Sequence, residues 1–139
     1  MFKLKQNQQG LAAIEMTLIL PIILLLLFAT AEFSRLLYQY NALTKATRDA
    51  SRYLASYPAQ TSNAEHILKF GDLTSTTEIL PGLAAESTDF TIVTNGEFIT
   101  VTVIYDWQPI FGDTLPSFVS DANFDLSFPL VTSYTMRAL

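Results

Sequence analysis

With 139 residues, no cysteine and a formal net charge of −5, the chain has room for one small domain plus one membrane helix. The lack of cysteine excludes a disulfide framework, a thiolate metal site and a cysteine nucleophile, while leaving the redox compartment open. From Phe33 onward six Lys or Arg stand against eleven Asp or Glu, with no basic stripe interleaved with aromatics, which argues against a nucleic-acid partner.

The first ten residues, MFKLKQNQQG, are polar and carry Lys3 and Lys5, and Leu11 to Ala31 then holds a single charge, Glu15. At about 1.5 Å per residue this run is roughly 30 Å long, the thickness of a bilayer's hydrocarbon core. It predicts a transmembrane helix whose surrounding partner is the lipid bilayer. Lysines before the span and none directly after it predict a cytoplasmic amino terminus and a periplasmic remainder. A signal-peptide core is shorter, about 7–15 residues. Ala29-Thr30-Ala31 nevertheless resembles a signal-peptidase site, so secretion with loss of the whole segment stands as an alternative.

An acid near the centre of a bilayer costs on the order of 2.5–3.5 kcal/mol, and less toward the edge, so such residues usually face a partner. Glu15 is the fifth residue after Gly10. A cut after Gly10 would leave it one turn from a new α-amino group on Leu11, which could pair with it in the same chain or a neighbour. The helix N-terminus adds a smaller favourable term. The competing reading is an acid that snorkels to the interface. Pro21 removes the bond to the Thr17 carbonyl and crowds it, which predicts a kink or local unwinding, with the Thr17 hydroxyl helping to satisfy the freed group.

Beyond the span, Phe33, Leu36, Leu37, Tyr40, Leu43, Ala46, Ala50, Tyr53, Leu54 and Tyr57 recur in steps of three and four. No Gly or Pro intervenes before Pro58, so one helix is predicted from Leu11 to about Ser56. The Tyr53 and Tyr57 stripe reads as core contact.

The wording Gly10-Leu11-Ala12-Ala13-Ile14-Glu15, the apolar run after it, Glu32-Phe33-Ser34-Arg35 and Tyr38-Gln39-Tyr40-Asn41-Ala42-Leu43-Thr44 resemble the TadE-like proteins of the Tad (Flp) type IV pilus system over about the first sixty residues. The resemblance implies a minor pilin, or pseudopilin, that is structural rather than enzymatic. Its processing site would be Gly10 and Leu11, cut by a prepilin peptidase, with Glu15 as the signature and subunit-docking acid. Met16 departs from the motif, which carries Tyr or Phe there, at a position the peptidase is expected to read. The implied partners are the peptidase, other pilins and minor pilins, and the inner-membrane assembly platform. The implied location is the inner membrane as a single pass, with entry into the cell-surface pilus as a further expectation. TadF shares the same amino-terminal plan.

In the remaining chain, Ser62-Asn63-Ala64-Glu65 offers an N-cap for a short helix ending near Gly71. Thr74 to Ser87 reads as loop with a Pro81-Gly82 turn. Phe90 to Thr94 and Glu97 to Tyr105 flank Asn95-Gly96, predicting a type I′ hairpin with Ile92 facing Ile99 and Phe90 facing Val101. Phe124, Leu126, Phe128 and Leu130, continuing through Tyr134 and Met136, predict a third strand with an edge or a break at Pro129. The loop from Asp106 to Asn123, with Trp107, Pro109 and Pro116, reads equally as a subunit contact or as closure of the sheet.

The expected fold is thus α+β and pilin-like: leader 1–10, transmembrane helix 11–31, amphipathic extension 32–57, and a head at 58–139 whose small antiparallel sheet packs on the helix. His66 and Glu65 point to different helix faces, so they make no metal pair. Asp106, Asp113, Asp121 and Asp125 lack a calcium-loop pattern and read as solvated loop acids. No cofactor, metal, small-molecule substrate or catalytic pair is implied. The rival readings are an uncleaved, signal-anchored periplasmic module that binds a ligand or envelope component, and a membrane-tethered hydrolase for which no nucleophile–base pair is found.

Overall fold

The computed structural model describes residues 8–85, 88–115 and 123–139. Helical periodicity without a breaker makes one element of the anchor and its extension: α1, Gln8–Ser56, about 75 Å long by its rise. The helix assignment runs unbroken through Pro21, so the expected local unwinding is absent. The Thr17 hydroxyl donates to the Ile14 carbonyl at 2.8 Å, not to the group Pro21 frees. A short second helix, α2 (Thr61–Phe70), packs beside α1 and ends at Gly71, whose φ of 81° lets its N–H reach the Ile67 carbonyl. Gln60, with no side-chain cap, stands at its start in place of the expected Ser62 cap. The Gln60 side chain is engaged instead with Tyr53 and Asn63.

Strands β1 (Asp89–Asn95), β2 (Phe98–Asp106) and β5 (Pro129–Arg137) form an antiparallel sheet in the order β1-β2-β5. The hairpin register differs from expectation by two residues: Asn95 pairs Phe98, Ile92 pairs Val101 and Phe90 pairs Val103. The physical reason is the turn. A type I′ turn centred on Asn95-Gly96 needs positive φ at both, but among the described residues no non-glycine has positive φ, and of these two only Gly96, at 62°, supplies it. The turn is therefore centred on Gly96-Glu97 with glycine first, the arrangement of type II′. Because the shift is even, every side chain keeps its expected face. Ile99, Val101, Val103 and Tyr105 are buried, with Phe90 and Ile92 packed against them.

The third strand is shorter than its alternation suggested. Phe124–Asp125 (β4) pairs with Thr114–Leu115 (β3) in a separate ribbon, and β5 starts at Pro129, where an edge strand tolerates the missing donor. Phe124 and Phe128 stay exposed. Pro116 and Asp121 lie outside the described residues. Trp107 does not belong to an exposed loop: it is buried, and its indole N–H donates to the Leu126 carbonyl at 2.7 Å.

The core lies between the outer half of α1 and the sheet, where Leu43, Ala46, Ala50 and Leu54 meet Leu68 of α2, Leu80, Leu83 and the β2 residues. Tyr53 packs at its margin, whereas Tyr57 is exposed and lies against the Tyr53 ring at 5.2 Å. Small residues allow α1 and β5 to approach closely, and a buried polar seam joins them. The Thr47 and Thr132 hydroxyls lie 2.7 Å apart, and Ser51 reaches the Tyr134 carbonyl at 3.4 Å. The sequence stripe omitted Thr47 and Ser51 because it counted only apolar side chains.

Candidate functional site

Within the first turns of α1, Gly10, Leu11, Glu15, Met16 and Pro21 are all exposed and carried on one continuous helix. A Cβ at Gly10 would meet nothing within 4 Å, so packing inside the chain does not require glycine there. Among the described residues no cation pairs with Glu15. Leu11 to Phe28 lies almost wholly exposed, and α1 is long and apolar enough to cross a membrane.

Where this bare helix meets the head, a second acid behaves differently. Glu32 is only 3% exposed, although it stands in the first turn after the apolar run. Its Oε1 accepts the backbone N–H of Ile110 at 2.8 Å and lies 3.7 Å from Arg35 Nη1. That same Nη1 donates to the Gln108 carbonyl at 2.8 Å, so the loop carbonyl, and not Glu32, is the closer partner of the guanidinium. Two side chains of one helical turn therefore hold the backbone of residues 108–110. Glu32 Oε2 is buried without a partner among the described residues, as is Gln39 Oε1 two turns further along the same face. A buried carboxylate is tolerated only when bonded, and Ile110 supplies that bond.

Around this clasp the surface is apolar. Phe111 stacks on Phe28 with ring centroids 4.8 Å apart, and Trp107 lies 6.0 Å from Phe128. Leu26, Ala29, Phe33, Leu36, Trp107, Leu126 and Phe128 line an open groove of about 670 Å³ beside Glu32. Asp125, next in sequence to Leu126 of the groove, is exposed. Asp125 accepts both the N–H and the hydroxyl of Ser127, which hold its carboxyl below the usual carboxylate range. Higher in the head, Tyr105 donates to the Pro81 carbonyl at 2.7 Å, and burial pushes its phenol upward, partly offset by Arg35. Sequence reasoning missed Glu32 as a site residue. The available signal was an acid in phase with Leu36, at the margin of the core, and with the buried Leu43 and Ala50.

Helix, head and clasp define a class of protein: an α+β head carried on a single helix that is a candidate membrane anchor. Residues 10–52 match the family described as TadE-like protein, so the resemblance read in the sequence holds over the anchor and most of its extension. The match includes Gly10, Glu15, Pro21, Glu32 and Arg35 and stops before the head. The match covers 43 of the chain's 139 residues. No curated protein and no solved structure matches the chain.

Proposed function

We propose that this chain is a minor pilin, or pseudopilin, of a Tad (Flp) pilus. The leader 1–10 is cytoplasmic and removed by a prepilin peptidase between Gly10 and Leu11. Residues 11–31 cross the inner membrane, and 32–57 extend the helix to a periplasmic head at 58–139. Glu15 then answers a positive charge, its own chain's new amino group or a neighbour's, as subunits dock with other pilins and the assembly platform. The bend that Pro21 allows lets the anchor follow its neighbours. Met16 is the position at which the peptidase meets a non-aromatic side chain.

The observation that carries this reading is the family match over residues 10–52, which begins at Gly10 and runs the length of the bare helix. A second feature supports it. Phe33, Leu37 and Tyr40 form an exposed apolar stripe on α1 away from the core, and about five helical turns separate Phe33 from Glu15, placing both on one face. A soluble head has no use for such a stripe, whereas helix-to-helix packing in a filament covers it.

The test is the intact mass and amino-terminal sequence of the protein made with and without a cognate prepilin peptidase, alongside Gly10→Ala and Glu15→Ala. A peptidase-dependent start at Leu11 that is lost in Gly10→Ala supports the reading. Because a Cβ at residue 10 meets no neighbour, that loss would report on the peptidase and not on folding. A start at Met1 under all conditions favours the uncleaved anchored binding module, and a start at Glu32 makes the head a secreted domain.

A further inference from the structure

We infer that the loop tip Ile110-Phe111 is inserted into the outer leaflet of the same bilayer that α1 crosses, so that the head rests on the membrane through an apolar foot. The inference rests on the anchor reading of α1 given above, and it adds a contact that the reading does not require. Three observations carry it. The first is depth. Phe28 lies three residues inside the end of the apolar run, about 4.5 Å along the helix, and helical side chains lean back toward the amino terminus. Phe111 stacks on that ring at 4.8 Å, which puts the loop at the level of the hydrocarbon boundary and not above it.

The second observation is exposure. Ile110 is 67% and Phe111 48% exposed, and Phe111 continues the bare apolar surface of α1 through the exposed Phe28. A patch of this kind, continuous with a membrane span, meets lipid as the span itself does. The third is backbone satisfaction. Irregular chain is tolerated in contact with hydrocarbon only where its polar groups find protein partners. Here Glu32 takes the Ile110 N–H, Arg35 covers the Gln108 carbonyl, and the Trp107 indole covers the Leu126 carbonyl. The clasp thus satisfies the amide that opens the tip and the carbonyl two residues before it. The exposed acids Asp106, Asp113 and Asp125 limit the insertion to the tip. With no cationic side chain on the tip, insertion is driven by apolar burial and is independent of anionic lipid and of salt.

The chain's lack of cysteine permits single labels. Ile110→Cys, Leu20→Cys and Val93→Cys would each carry an environment-sensitive fluorophore in the full chain. Each would be reconstituted in phosphatidylcholine vesicles with and without bromine on the acyl chains. Only variants whose Trp107 emission in unbrominated vesicles equals the parent's would be compared. Bromine is expected to quench most of the emission at positions 20 and 110 and to leave position 93, on the outer face of the sheet, unchanged. Quenching at 20 but not at 110 would overturn the inference while leaving the anchor intact. That outcome with a blue-shifted label at 110 would assign the tip to a second copy of the chain, and with an aqueous spectrum it would assign the tip to water. No quenching at 20 would remove the anchor reading and the inference with it.

Discussion

Glu32 Oε1 accepts the N–H of Ile110 at 2.8 Å across 78 residues of sequence, and this bond ties the loop after β2 to the helix just beyond the apolar run. The consequence for stability depends on what replaces the carboxylate. Glu32→Ala strips the acceptor from a part-buried N–H and opens space beside Leu36, so it should destabilise the head by about 1–3 kcal/mol. Glu32→Gln keeps an acceptor in place and loses only the 3.7 Å approach to a half-buried Arg35, so its cost should stay below about 1 kcal/mol. Urea unfolding of the full chain in detergent, read by the emission of Trp107, the chain's one tryptophan, checks both. Faster amide exchange at Ile110 in the Ala variant alone would locate the effect.

What the sequence made legible, and what it did not, follows from which physical signals are local. The helix was readable from steps of three and four with no breaker between Phe33 and Ser56. The sheet faces were readable from strict alternation in Phe98–Asp106. Register was not, because moving the turn from Asn95-Gly96 to Gly96-Glu97 preserves parity and so leaves the hydrophobic pattern silent. Alternation at Phe124, Leu126 and Phe128 misled for a related reason: it persists through β4 and into the loop, although only Pro129 onward joins the core sheet. The clasp was the least legible feature. Its partners on the loop are backbone groups of Gln108 and Ile110, and a backbone amide leaves no mark on residue identity.

The register itself can be tested at Asn95. In the observed hairpin this residue is an extended strand position paired with Phe98, where a β-branched side chain is at home. In a type I′ turn it would need positive φ, which a β-branched residue resists. Asn95→Thr should therefore leave stability within about 0.5 kcal/mol of the parent. Gly96→Ala should cost about 1–2 kcal/mol, since its φ of 62° is strained for any L side chain even though a Cβ there meets nothing within 4 Å. Denaturant unfolding of the two variants, side by side, distinguishes the turns.

Tyr105 links the head to alkaline pH. Its phenol donates to the Pro81 carbonyl, and burial holds its pKa above the ordinary tyrosine value. The folded protein thus keeps this proton to higher pH than the unfolded chain does. The linked stability is complete below the unfolded value of about 10 and falls as pH rises from there through the folded value. Tyr105→Phe should lose about 1 kcal/mol near neutrality for the missing hydrogen bond. It should also lose less further stability than the parent between neutral pH and pH 11, as measured by thermal melts at matched ionic strength.

The Thr47–Thr132 seam predicts an asymmetry that simple removal of a contact does not. Thr47 donates its one hydroxyl proton to the Leu43 carbonyl at 2.8 Å, so in the 2.7 Å pair with Thr132 it is the acceptor and Thr132 the donor. Thr47→Val leaves the buried Thr132 hydroxyl without its acceptor and should cost about 1–3 kcal/mol. Thr132→Val leaves Thr47 still bonded to its own helix and should cost about 1 kcal/mol or less. The double variant replaces both hydroxyls with methyls of nearly the same shape, and it should be more stable than Thr47→Val alone. A double-mutant cycle from unfolding free energies reads this directly. A cost for Thr132→Val that exceeds that for Thr47→Val would reverse the donor assignment.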